Sequence, residues 1–332
     1  MKYLVPGDYM ADPAVHVFNG KLYIYPSHDW ESGIPENDNG DHFNMKDYHV
    51  FSMKDAEGDV TDHGVVLDVK KIPWAGRQLW DCDVACKKGK YYMYFPLKDK
   101  NDIFRIGVAV GNKPEGPFIP QDNPMKGSYS IDPAVFEDGG KFYMYFGGLW
   151  GGQLQRYRNN KALESAAFPG RGKPALCPKI ARLREDMLEF AEEPQDVVIL
   201  DEKGKPLTAG DNKRRFFEAS WMHKYDGKYY FSYSTGDTHL LCYATGDNPY
   251  GPFTYRGVIL TPVVGWTTHH AIVEFKKRWY LFHHDCGPSK GKTWLRSLKV
   301  TELEYDGRGR IKTIDGGREP GGLEKLQARL KK

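Results

Sequence analysis

The chain has little to offer a membrane or a nucleic acid. In its 332 residues no run of 18 apolar residues occurs, so no transmembrane helix is expected. Its 47 Lys and Arg against 44 Asp and Glu leave a formal charge of only +3, with the basic residues scattered. Neither a nucleic-acid nor a membrane-surface role draws support from that balance. Five cysteines, Cys82, Cys86, Cys177, Cys242 and Cys286, are an odd number without a CxxC pair. They read as reduced, partly buried thiols rather than a disulfide framework, and better as that than as a zinc site built from Cys82, Cys86 and histidines. No apolar signal segment precedes the first repeat at the N-terminus, and with the thiols this sets the expectation of a cytoplasmic protein. No low-complexity segment appears, and the tail from Lys325 to Lys332 reads as a solvated end.

What the chain does have is a phrase repeated five times. Lys21-Leu-Tyr-Ile-Tyr, Lys90-Tyr-Tyr-Met-Tyr, Lys141-Phe-Tyr-Met-Tyr, Lys228-Tyr-Tyr-Phe-Ser-Tyr and Arg278-Trp-Tyr-Leu-Phe each join a basic residue to an aromatic run. Aromatic runs favour strands. The 21 Tyr and 17 Phe fit a strand-rich core, and 36 Gly with 21 Pro suit many turns. The anchors are 69, 51, 87 and 50 residues apart. A spacing near 50 suits four short strands, which is the size of a propeller blade. The longer intervals carry insertions. One is a polar loop from Asp29 to Tyr48; the other, roughly 159–215, contains a short helical pattern at Leu183-Arg-Glu-Asp-Met-Leu-Glu-Phe. A second phrase, Val108-Ala-Val-Gly-Asn-Lys-Pro-Glu-Gly-Pro-Phe, returns as Tyr243-Ala-Thr-Gly-Asp-Asn-Pro-Tyr-Gly-Pro-Phe at a similar phase. The expected fold is therefore all-β: a single five-bladed β-propeller over residues 1–332, with little helix outside 159–215.

A titratable residue precedes each anchor at nearly constant distance. Asp12, Asp81, Asp132 and His269 stand nine residues before theirs, and Glu218 stands ten before Lys228. If the first strand of each blade starts at the propeller axis, all five meet in one cavity, with Asp83 the alternative to Asp81. A lone Asp-Pro is an ordinary turn before a strand. Two copies at equal phase, Asp12-Pro13 and Asp132-Pro133, with Glu218 at the third place, favour a site. Proline is expected to hold each aspartate extended. Crowded carboxylates split their pKa values, so one stays protonated while another stays ionised. That division of labour is the chemistry of glycoside hydrolysis.

On these motifs the chain resembles glycoside hydrolase family 43, the five-bladed propeller enzymes of xylan and arabinan breakdown. The resemblance covers nearly the whole chain and rests on Pro6-Gly-Asp-Tyr-Met-Ala-Asp-Pro, Ile131-Asp-Pro, Phe217-Glu-Ala and Thr268-His-His-Ala-Ile. The stretch from Tyr25-Pro-Ser-His-Asp-Trp through Asp41-His-Phe resembles the metal-activated β-xylosidase and α-L-arabinofuranosidase branch. The resemblance implies Asp12 as general base, Glu218 as general acid, and Asp132 as the residue tuning that acid's pKa. It implies His269 as ligand to a divalent ion, Ca²⁺, in the central channel. It implies Arg296 as a contact to sugar hydroxyls and Trp80 as a wall of the sugar pocket. Where many family members have Glu-Gly-Pro, this chain has Glu218-Ala-Ser.

His28, Trp30 and Trp150 are further candidates for substrate contact, since sugar rings stack on such aromatic faces; His28 and His42 are as readily surface groups. His283-His284-Asp285 reads as a strand end with one ring near the pocket rim. The expected activity is inverting exo-hydrolysis of terminal β-D-xylosyl units from small oligosaccharides, with α-L-arabinofuranosyl cleavage as a side activity. The alternatives are arabinofuranosyl or arabinan cleavage as the main activity, or a non-catalytic carbohydrate-binding propeller, which would not need three acids. A protein-interaction propeller would carry repeated WD or kelch signatures, and neither recurs. Oligomeric state is not legible.

Overall fold

The computed structural model describes residues 1–318 except residue 237. The Lys325–Lys332 tail lies outside the described residues, as does the end of the 1–332 span. The described chain is almost wholly β, with five sheets that make a five-bladed propeller and a sixth, two-stranded ribbon of Tyr157–Arg158 and Lys161–Ala162. Each aromatic phrase is the second strand of a sheet, and each first strand lies just before it. Blade I comprises Met10–Phe18, Lys21–His28, Asp47–Met53 and Val60–Asp68. Blade II has an interrupted first strand, Ala75–Leu79 and Asp83–Lys87, both paired to Lys90–Asp99, followed by Phe104–Gly111 and Ile119–Pro120. Blade III runs Ala134–Asp138, Lys141–Phe146, Lys179–Arg182 and Gln195–Asp196. Blade IV runs Glu218–Tyr225, Lys228–Thr235, Leu240–Gly246 and Phe253–Leu260, with Ile199–Leu200 added in parallel at its edge. Blade V contains His270–Phe275, Arg278–Asp285 and Ser297–Leu303. Its fourth strand is Lys2–Tyr3, from the other end of the chain, with Lys2 opposite Val300. The five first strands neighbour one another in a closed ring, I to II to III to IV to V and back to I. Radial closure leaves each blade only a short outer edge.

The repeated tyrosines have a structural use. Tyr25, Tyr94, Tyr145 and Tyr233, the last aromatic of four phrases, are fully buried. A buried phenol needs a partner, and each donates to a backbone carbonyl elsewhere in the wheel. Tyr25 reaches Pro114 at 2.8 Å, Tyr94 reaches Met187 at 2.9 Å, and Tyr145 reaches Pro249 at 2.7 Å. Tyr233 reaches Arg214 at 2.5 Å. Pro114 and Pro249 sit in the two copies of the second repeated phrase. The two repeats thus hold each other, one blade's aromatic strand fastened to a neighbour's turn.

Two expectations are overturned. Leu183–Phe190 is not a helix: it forms a tight reversal in which Leu183 bridges Phe190, with Met187 at a φ of 64°. Met187 and Leu183 are buried, and Phe190 stacks on Phe146 at 5.7 Å. Packing of these apolar groups against blades II and III outweighs a weak eight-residue helical preference. The helix that does occur among the described residues is three short 3₁₀ turns, Val69–Lys71, Trp150–Gly152 and Leu154–Arg156, all outside 159–215.

The prolines do not hold the aspartates extended either. Asp12 has φ 46° and Asp132 has φ 60°, and Ala219, after Glu218, has φ 62°. The strand register also shifts between Ala11 and Ala14 and between Glu218 and Trp221. A bulge re-aims a side chain. Aspartate tolerates positive φ better than most residues, so the bulge geometry prevails over the proline preference.

Candidate active site

The ring of first strands opens into a cavity of about 290 Å³. Asp12, Asp81, Asp132, Glu218 and His269, the five residues at constant phase before the anchors, all line it. Asp83, the alternative to Asp81, points elsewhere: its carboxylate binds the His16 ring at 2.5 Å and the Val135 amide at 2.6 Å.

Asp12 is held as an anion. One carboxyl oxygen accepts from Arg296 Nη1 at 2.7 Å and the other from the Ser27 hydroxyl at 2.6 Å. Burial alone would raise its pKa. Burial is the largest single influence, but the charge of Arg296, with the Ser27 hydrogen bond among the lesser effects, more than offsets it and brings the pKa down to about 2. The Asp12 amide donates to His284 Nδ1 at 3.1 Å, and His284 Nε2 lies 3.0 Å from the Thr267 hydroxyl. A ring nitrogen that accepts from an amide carries no proton, so His284 is neutral, and burial lowers its pKa to about 3. Of His283-His284-Asp285, then, one ring does reach the site, but from beneath Asp12 rather than from the rim.

Glu218 is in the opposite condition. Its pKa stands well above the usual carboxylate range, first because it is removed from water, then because the Asp132 and Asp12 charges repel a third anion; Arg296 opposes this. Asp132 holds the backbone beside Glu218. Its Oδ2 accepts from the Ala219 amide at 2.6 Å and stands 4.0 Å from His269 Nδ1. Asp81 and Asp132 share a hydrogen bond. Burial raises both, and the Asp132 charge pushes Asp81 further upward.

Asp81, Asp132 and His269 bring one ligand atom each within 4.8 Å of one another. Asp81 Oδ1 is buried without a hydrogen-bond partner. Two carboxylates, one with a vacant oxygen, beside an imidazole form a donor set that suits a hard divalent cation.

Arg296 lines the cavity but is almost wholly engaged. It forms a two-pronged pair with Asp29 at 2.8 and 2.7 Å, besides its bond to Asp12, and its guanidinium lies over the Phe43 ring at 4.9 Å. Trp80 walls the pocket within a cluster of Phe43, Met45, Phe104 and Ile131, its indole N–H bonded to the Phe43 carbonyl at 3.1 Å. Gly40 passes so close that a Cβ there would sit 2.7 Å from the Trp80 ring. Trp150 also lines the cavity, stacked on Trp266 at 5.6 Å with Phe217 edge-on to both.

His28 and Trp30 do not line this cavity. His28 is bonded to Asp47 and Asp8, and the 42% exposed Trp30 ring packs on it from outside at 4.6 Å. Strand Lys21–His28 carries its last residue past the pocket, so it is the following loop that turns inward. That loop supplies His42, whose pKa burial and Arg296 lower to about 4. Sequence reasoning passed over Asp29, Ser27, Thr267 and Trp266. Asp29 had no repeat phase to mark it, and the others act through partners far away in the chain.

The chain matches glycosyl hydrolases family 43 over residues 5–311. It is 81% identical to a "Xylosidase/arabinosidase" of Bacteroides ovatus, over 95% of this chain and 98% of the relative. It is 61% identical to a "Beta-xylosidase" of Xylanibacter ruminicola, over 94% and 99% of the two chains. Among solved structures it superposes with a TM-score of 0.94, at 62% identity, on a β-xylosidase/α-arabinofuranosidase from a compost microbial metagenome. That structure covers 96% of this chain, is itself covered to 98%, and is described as a xylotriose complex in a calcium-free form. With its five-bladed wheel and its ring of acids, the chain belongs to glycosyl hydrolases family 43.

Proposed function

We propose that this protein is an inverting exo-glycosidase that removes terminal β-D-xylosyl units from xylooligosaccharides, with α-L-arabinofuranosyl cleavage as a side activity. The observation that carries this reading is the split between two acids in one cavity: Asp12 held ionised, Glu218 held protonated. The names of the similar proteins, which join xylosidase with arabinosidase, support the substrate class.

In this reading Glu218 protonates the leaving glycosidic oxygen. Asp12 takes a proton from the water that attacks the opposite face of the sugar. Arg296 keeps Asp12 an anion at any working pH, and Asp29 keeps Arg296 in place. His284, neutral, fixes the backbone of Asp12 through its amide. Asp132 holds the amide after Glu218 and, by its charge, favours the protonated acid. Trp80 and Phe43 offer one apolar wall, and Trp150 with Trp266 the other, faces on which a sugar ring can stack.

His269, with Asp81 and Asp132, would hold a divalent cation, Ca²⁺ being the expected one. Such an ion supplies a fixed positive charge that favours ionised neighbours.

The test is an assay of nitrophenol release from nitrophenyl β-D-xyloside and nitrophenyl α-L-arabinofuranoside, with proton NMR of the first anomer formed from xylobiose. The reading expects faster xyloside cleavage and an α-xylose product. A β-anomer product would overturn inversion, and failure on both substrates would overturn the assignment as a whole. Faster arabinofuranoside cleavage would make arabinofuranosyl release the main activity.

A further inference from the structure

We infer a second metal site, outside the catalytic cavity, formed by His28, Asp47 and His49 and suited to a divalent transition metal of the zinc class. One ligand atom from each of the three lies within 4.8 Å of the others. His28 ends the second strand of blade I, and Asp47 and His49 open the third. Two residues apart on a strand, Asp47 and His49 face the same way. His28 Nδ1 is 2.6 Å from Asp47 Oδ1, and His49 Nε2 is 4.0 Å from the same oxygen.

The outer nitrogens of both rings are already spoken for. His28 Nε2 lies 3.2 Å from Asp8, and His49 Nδ1 lies 3.1 Å from Asp62. A carboxylate on the far nitrogen of each imidazole is the arrangement that fixes the tautomer of metal-bound histidines. It leaves His28 Nδ1 and His49 Nε2 turned toward Asp47. Two imidazoles and a carboxylate are a zinc-type donor set, with a water completing four-coordination, whereas calcium asks for oxygen. Binding would displace the proton now shared between His28 and Asp47. His49, with its side chain 15% exposed, gives the ion a way in.

The position gives the site a consequence. His28 and Asp47 are the two ends of the loop between them, and that loop carries Asp29, the partner of Arg296, together with pocket residues Asn37, His42 and Phe43. A metal there ties the loop at its neck, and so steadies one wall of the catalytic cavity from outside.

The experiment is titration of the chelator-treated protein with Co²⁺ in saturating Ca²⁺, which occupies oxygen-rich sites. Visible d–d absorption reports four-coordinate Co²⁺, and Zn²⁺ is then used to displace it. The parent should bind one Co²⁺ in this way and show a higher Tm with Zn²⁺. His49→Gln should lose both effects, and His269→Ala should keep them. Asp62→Asn, an exposed change that leaves the ligands in place, should weaken Zn²⁺ by about 10- to 100-fold. Far-UV circular dichroism checks that each variant is folded. Absence of a four-coordinate spectrum in the parent would overturn the inference, as would one that survives in folded His49→Gln or vanishes in His269→Ala.

Discussion

Asp132 Oδ2 accepts a hydrogen bond from the Ala219 amide at 2.6 Å, so the first strand of blade III holds the backbone that carries Glu218 in blade IV. The same carboxylate raises the Glu218 pKa by its charge, second only to burial. Asp132→Ala should therefore do two separable things. It should misplace the acid, costing about 10²-fold in kcat. It should also lower the Glu218 pKa. Activity needs protonated Glu218 and falls as pH rises through that pKa. The alkaline limb of kcat/KM should thus move to lower pH in the variant. A limb that stays put, or moves upward, would contradict the tuning role.

The two acids can be told apart by leaving group. Nitrophenolate departs with little need of a proton, and xylose does not. Glu218→Ala should lose about 10²- to 10⁴-fold on xylobiose and far less on nitrophenyl xyloside. Asp12→Ala should lose heavily on both, since attacking water still needs its base. Equal losses for Glu218→Ala on the two substrates would count against its place as the acid.

Removal of the cation at Asp81, Asp132 and His269 should act on rate and not on the fold. The blades are held by buried tyrosines and apolar strands, none of which depends on an ion. A chelator should lower turnover, added Ca²⁺ should restore it, and near-UV circular dichroism should stay unchanged throughout. His269→Ala should be slow and indifferent to Ca²⁺. A variant that answers calcium as the parent does would move the cation away from Asp81, Asp132 and His269.

Tyr145→Phe tests the inter-blade tie. It removes the donor to Pro249 and leaves a carbonyl without its partner in a buried place. Urea denaturation should show a loss of about 1–3 kcal/mol with kinetics unaltered. A change below about 0.5 kcal/mol, the level of an ordinary surface substitution, would mean that water replaces the hydroxyl.

Much of the wheel could be read from the chain. A strand's aromatic run is a local signal, and the anchors at Lys21, Lys90, Lys141, Lys228 and Arg278 each open a second strand. The constant offset from Asp12, Asp81, Asp132 and His269 to those anchors carried the ring of titratable residues around the cavity, because symmetry turns equal phase in sequence into proximity in space. The Leu183–Phe190 reversal was misread, since three apolar residues at helical spacing also suit a hairpin packed on a neighbour.

The sequence by itself determined blade number and which acids meet at the axis, since each follows from a period repeated along the chain. Only the tertiary structure decided which acid is charged. Asp12 and Asp132 look alike in sequence, each followed by proline, alanine and valine. Arg296, 284 residues away from Asp12, pairs with that aspartate and not with Asp132. Likewise the blade-I strands carry His28 away from the pocket and set it against Asp47. A pKa depends on which charges lie within a few ångströms, and distances between residues so far apart in the chain exist only once the wheel has closed.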